Sequence, residues 1–197
     1  MKDSVFTAAV YDYFMVPFEA LGVRKWRRLL WSQVKDGRVL DVGAGTGLNV
    51  SCYRSEHQVI ALDNSGHFLE RARRRARKKQ VHVEFVLGDV QNIPFGDAEF
   101  DSVISTFLFC QLHNPQQGFR ELHRVLKPGG QLLMLEHVRS NGRLGRLLDM
   151  LSWPVYRLTG NQIARNTAEF AERAGFVNVI TRALFSDVVK YIEAEKR

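Results

Sequence analysis

A chain of 197 residues with 45% apolar content is long enough for one domain with a substantial core, and nothing in it calls for a second. Its 28 lysines and arginines against 21 acids leave a net charge of +7, which favours an anionic partner without choosing between a membrane surface, a nucleic acid and mere solubility. Cys52 and Cys110 belong to no CxxC or Cys/His cluster, so disulfide-framework and zinc classes are set aside. The N-terminus lacks a charged-then-apolar leader and no apolar run reaches the roughly eighteen residues of a membrane span, so a cytoplasmic protein is expected.

Residues 4–20 place Val5, Phe6, Ala9, Val10, Tyr13 and Phe14 at mostly helical spacing, with Pro17 marking a break or a new first turn. Residues 21–35 then read as an amphipathic helix with a solvated cationic face, or in a sharper version a membrane-surface helix. Together they form an N-terminal helical cap over residues 1–35.

The stretch that organises the chain follows. An apolar run, Val39 to Val42, passes through Gly43, Gly45 and Gly47 into residues 48–55, which could open a helix. Glycines let the backbone approach a ligand, and a helix start presents unpaired N–H groups to it. The dinucleotide fingerprint G-x-G-x-x-G needs its third glycine at 48, where Leu48 stands, so the pyrophosphate reading weakens. Residues 58–63 read as a second strand ending in Asp63, 18 residues beyond Gly45, near the distance at which a nucleotide-binding sheet sets an acid on ribose hydroxyls. Capping of the next helix by Asp63, Asn64 or Ser65 is the competing reading.

That helix carries seven cations in positions 71–79, on too many sides for one stripe; a solvated surface is the simplest account. Residues 81–87 alternate as a third strand closed by Gly88 and Asp89, residues 100–106 form a fourth, and residues 115–126 a helix stopped by Pro128, Gly129 and Gly130. A fifth strand over 131–135 leads to Glu136 and His137. Residues 143–159 mix leucines, Trp153 and Tyr156 with arginines around Pro154, as an interfacial lid or an ordinary covering helix would. After a helix over 166–174, residues 176–185 and 187–195 supply two closing strands.

Acidic-x-Gly-x-Gly-x-Gly after a strand (Asp41 to Gly47), Tyr11-Asp12-x-aromatic, Gly88-Asp89-Val90, and Arg124 to Gly130 occur in the order found in the class I S-adenosylmethionine (SAM) dependent methyltransferases. The chain resembles their ubiquinone/menaquinone C-methyltransferase-like group, and Glu136-His137-Val138 resembles phospholipid N-methyltransferase-like and thiol methyltransferase-like relatives. The resemblance implies a Rossmann-like α/β fold, a seven-stranded mostly parallel sheet with helices on both faces, in one domain over 1–197.

It also implies roles. Asp41 and the backbone of Gly43, Ala44 and Gly45 hold the methionine end of SAM, Asp63 its ribose with Asn64 flanking, and Asp89 and Val90 the adenine. Ser105 belongs to the strand end expected beside the sulfonium. The region of Tyr11 and Tyr13, which join His137 as candidate catalytic residues, folds over the cofactor and helps enclose the substrate, although aromatic packing explains either tyrosine as well. His137, whose ordinary pKa is near 6.5, is a candidate base, against a structural pairing with Glu136. Arg139 could meet a phosphate or a solvent-exposed carboxylate.

The resulting expectation is metal-free, in-line methyl transfer to a small-molecule or lipid acceptor, foremost the amine of a phospholipid head group. Methylation of a quinone-precursor carbon or of a thiol comes next, and a non-catalytic SAM- or RNA-binding module last. Nucleic acid is disfavoured: residues 100–110 lack the motifs of DNA amino- and cytosine-5-methylation. Peripheral contact with an anionic membrane at the inner face stays open, as does the oligomeric state. The 143–160 insertion is expected to cover the substrate.

Overall fold

The computed structural model describes residues 5–137, 167–185 and 189–197. At its centre lies a seven-stranded sheet in the order β3-β2-β1-β4-β5-β7-β6. Strands β1 (Gly37–Val42), β2 (His57–Asp63), β3 (Glu84–Leu87), β4 (Phe100–Thr106) and β5 (Leu126–His137) run parallel. β6 (Phe176–Phe185) and β7 (Val189–Lys196) form an antiparallel hairpin, with β7 lying antiparallel beside β5. The seven-stranded expectation therefore holds.

Helices cover both faces, which is why Val39, Leu40, Asp41 and Val42 are all buried in one short strand. On one face Leu40, Val42 and Val103 pack with Phe119 and Leu122 of α4 (Pro115–Val125) and Ala171 of α5 (Thr167–Arg173). On the other, Val39, Ile104 and Leu133 pack with Leu30 and Trp31 of α2 (Arg24–Ser32) and Ala76 of α3 (Gly66–Lys79). β1 is first in sequence but central in space: the chain winds out through β2 and β3, then returns to β4 and β5. Such a reversal opens a crevice at the carboxyl ends of β1 and β4.

Several boundaries differ from the sequence expectation. Pro17 lies inside α1 (Val5–Phe18), near its end, and the chain bends instead in the π-turn Glu19–Val23, where Gly22 has φ 140°. Only glycine takes that conformation without strain. Residues 48–55 form just a 3₁₀ turn, Leu48–Cys52, because Asn49 and Tyr53 turn their side chains to Asp41. β3 starts at Glu84, since Val81 and Val83 pack onto the core before it.

Candidate active site

The loop after β1 is left-handed at each glycine, with φ 66° at Gly43, 57° at Gly45 and 80° at Gly47. At Gly47 a Cβ would stand 2.8 Å from the Ala72 Cβ and 2.9 Å from its Cα, so the missing side chain is what lets α3 close on the loop. A Cβ on Gly45 would meet nothing nearer than 3.9 Å. The backbone there faces open space, as a cradle for a ligand must.

Two carboxylates support this loop from different sides. Asp41 is fully buried beneath it, accepting from Tyr53 Oη at 2.5 Å and from Asn49 Nδ2 at 3.0 and 3.1 Å. Burial pushes its carboxyl up to about 6, and those hydrogen bonds oppose the rise. Asp41 does not line the cleft; it shapes the loop through Asn49 and Tyr53. Asp63 Oδ2 accepts the Gly45 N–H at 2.8 Å while Oδ1 accepts the Ser65 N–H at 2.9 Å. The N-cap of α3 is Ser65, which accepts from the Phe68 N–H, so capping is not the task of Asp63.

Beside the loop lies a small open cleft lined by Tyr11, Arg27, Gly43, Ala44, Gly45, Thr46, Leu48 and Thr106. The Tyr11 ring packs tilted against that of Phe68, 5.5 Å between centroids, and burial raises its hydroxyl above the usual range. Asp12 clips α1 over the site: it accepts from Thr46 Oγ1 at 2.5 Å, Arg71 Nη2 at 2.7 Å and Arg75 Nη2 at 3.2 Å. Tyr13, by contrast, is 79% exposed and does not line the cleft, although the sequence grouped it with Tyr11.

Further along the sheet, Asp89 is exposed at the end of β3 and accepts from the Gln91 N–H at 2.8 Å, with Val90 buried beside it. Asn64 is exposed after Asp63. Ser105 is displaced from its expected role by strand alternation: its hydroxyl is buried and donates to Glu136 Oε1 at 3.3 Å, and the neighbouring Thr106 is the residue that reaches the cleft.

Glu136 itself is a residue that sequence reading treated only as a partner for His137. It is fully buried, and its Oε1 also accepts the N–H groups of Leu108 and Phe109 at 3.1 and 3.2 Å. Burial pushes this carboxyl up to about 7 against those hydrogen bonds. It thereby anchors the turn after β4 that borders the crevice. The backbone of His137 pairs with Val189 at the end of β5. Its side chain, Val138, Arg139 and the 143–160 insertion lie outside the described residues.

The basic helices are less solvated than expected. Arg27 of α2 is 3% exposed, and on α3 Arg71 and Arg75 are held by Asp12 while Arg73 lies 5.5 Å over the Phe85 ring. A charge run cannot reveal such partners, because Asp12 is 59 residues away from Arg71 in sequence.

A glycine loop with an open backbone at the end of β1, acids closing β2 and β3, and this sheet order define the Rossmann-like class I SAM-dependent methyltransferase fold. A family model described as a methyltransferase domain matches residues 40–134. The chain is 32% identical to the ubiquinone/menaquinone biosynthesis C-methyltransferase of Pseudomonas fluorescens over 83% of its own length and 68% of that protein. It is 36% identical to the demethylmenaquinone methyltransferase of Deinococcus radiodurans over 59% of this chain and 52% of that one, so it spans about half the length of that relative. The same fold recurs in a phosphoethanolamine N-methyltransferase of Haemonchus contortus solved with SAM, at 20% identity and TM-score 0.70, covering 84% of this chain and 50% of the other. The chain belongs to the class I SAM-dependent methyltransferases, in the ubiquinone/menaquinone C-methyltransferase-like group.

Proposed function

We propose that the chain transfers the methyl group of SAM to a lipophilic small-molecule acceptor, with a ring carbon of a quinone precursor as the first candidate. The observation that carries the acceptor class is the 32% identity extending over 83% of the chain to a quinone C-methyltransferase. The phospholipid head-group amine, foremost on sequence grounds, moves to second place. Its support lies in the Glu136-His137-Val138 segment and the apolar 143–160 insertion, whereas its structural neighbour is only 20% identical. A thiol acceptor stands third.

The residues present suit the cofactor. The backbone at Gly45 faces open space, Asp63 offers a carboxylate that can accept from a ribose diol, and Asp89 can accept from the adenine amine. SAM supplies an electrophilic methyl carbon on a sulfonium that is its own leaving group. The chain supplies alignment and exclusion of water: Gly43, Ala44 and Gly45 form the floor, and Tyr11 and Asp12 bring α1 across it. His137, at the end of β5, is the proposed proton acceptor when the acceptor must lose a proton.

The test is methyl-labelled SAM with purified protein and vesicles of total bacterial lipid extract, followed by separation of labelled products. Label in the quinone fraction supports the reading. Label in phospholipid head groups moves the acceptor to the second reading and makes peripheral membrane binding its natural setting. Binding of SAM without label in either fraction points to a soluble acceptor. Salt-sensitive RNA binding without methyl transfer would instead favour a non-catalytic module.

A further inference from the structure

Arg124 stands at the head of the Arg124 to Gly130 segment, in the last turn of α4, and does not line the cleft beside the glycine loop. Its guanidinium is nevertheless fully engaged. Nε and Nη2 donate side by side to the two oxygens of Glu121 at 2.8 Å each, Nη2 also reaches the Ile93 carbonyl at 3.0 Å, and Nη1 donates to the Phe95 carbonyl at 2.8 Å and Asp97 Oδ1 at 2.9 Å. Glu121 is buried, and its Oε2 accepts the Ile93 N–H at 2.9 Å as well. Ile93 is therefore gripped by both of its backbone polar groups.

What this grip holds is the connection from β3 to β4. Residues 88–99 form neither helix nor strand, so their path depends on partners from outside the segment. Val90 and Ile93 are sunk in the core, and a Cβ on Gly88 would stand 3.2 Å from Pro94 Cδ, so the connection doubles back onto the residue before Asp89. The start of α4 holds the same segment from its other end. There the Asn114 N–H donates to Gln91 Oε1 at 3.1 Å, and Gln91 in turn donates to Asp89, from its N–H at 2.8 Å and from Nε2 at 3.3 Å. Asp97 is exposed and adds little, which leaves Glu121 and the two carbonyls as the partners that matter; a lysine could not meet them in one plane. Building on the cofactor reading above, we propose that Arg124, braced by Glu121, is a positioning residue for the adenine end: without touching the cofactor, it sets the Asp89 carboxylate where the adenine amine donates to it.

Two ligands separate this from mere stabilisation of the fold. S-adenosylhomocysteine carries the adenine amine, whereas its 6-deamino analogue has hydrogen in that place and is otherwise the same. In calorimetric titration the wild type should prefer the first by at least about tenfold, the worth of one hydrogen bond to a charged group. In Arg124→Met, which keeps an apolar stem but no donor, that preference should fall to about threefold or less. A preference preserved at the wild-type level, whatever the change in melting temperature, overturns the proposal.

If Arg124→Met does not fold by circular dichroism, Glu121→Gln decides. One amide oxygen cannot serve both the guanidinium and the Ile93 N–H, so the preference should drop by about threefold or more, and an unchanged preference overturns the proposal. A wild-type protein that binds both ligands equally removes Asp89 from the adenine, and the task of Arg124 with it. One that binds neither overturns the cofactor reading as well. Wild-type discrimination that the variants retain leaves the cofactor reading standing and overturns the Arg124 assignment alone.

Discussion

Asp63 joins the glycine loop to the start of α3 through two backbone N–H groups, and the same carboxylate is the proposed ribose acceptor. Asp63→Ala should therefore weaken S-adenosylhomocysteine and 5′-methylthioadenosine together, by roughly 10- to 100-fold in calorimetry. Unchanged affinity would remove the ribose assignment. Glu136 allows a test by pH instead. Its folded pKa, about 7, lies above the ordinary 4.5, so between these values the folded state holds a proton that the unfolded chain has released. Its contribution to stability is full below the ordinary value and is lost as pH rises through 7. Glu136→Gln keeps the shape of the protonated acid, so it should be nearly neutral near pH 5 and stabilising at pH 8. The upper limit is on the order of 3 kcal/mol, from a shift of two to three pKa units. Chemical denaturation of both proteins across that range checks it; a gap independent of pH would show that this carboxyl does not titrate there. Asp63 was legible from its position after a strand. The burial of Glu136 was not, because its donors lie at residues 105, 108 and 109.

Between elements, the packing of α3 on the glycine loop depends on one absent side chain. Gly47→Ala must adopt φ 80° and place its Cβ 2.9 Å from the backbone of Ala72, so it should cost about 2 kcal/mol or more in denaturant unfolding and weaken cofactor binding. Full stability would mean that α3 shifts freely. The glycine pattern was plain in the sequence, but what each glycine serves was not, since Gly45 faces open space and Gly47 faces a helix from another segment. The same limit applies to α2. Its amphipathic spacing identified a helix correctly, yet counted Arg27 as solvated, because Glu19, Asn49 and Thr106 come from three separate parts of the chain. Proline also misled: Pro17 sits near the end of α1, where the interruption costs little, and glycine made the bend.

For the molecule as a whole, strand positions were readable from alternation and turn residues, and β4 occupies residues 100–106 as expected. The lateral order of strands was not, because pairing between β1 and β4 joins Val39 to Ser102 across the intervening β2 and β3. Among the described residues no helix is long and apolar enough to cross a membrane. The antiparallel placement of β7 has a further consequence for how the chain is made. β5 has no lateral neighbour except β4 until β7 arrives, and β7 is synthesised after every other strand of the sheet. During translation the cofactor loop and the first five strands therefore precede the strand that seals them, leaving a row of backbone donors and acceptors along β5 able to recruit another nascent chain. Deleting residues 176–197 should reproduce that interval permanently, giving aggregates that light scattering detects in preparations where the full chain stays dispersed. A monodisperse truncated protein would show that the edge is protected by other means.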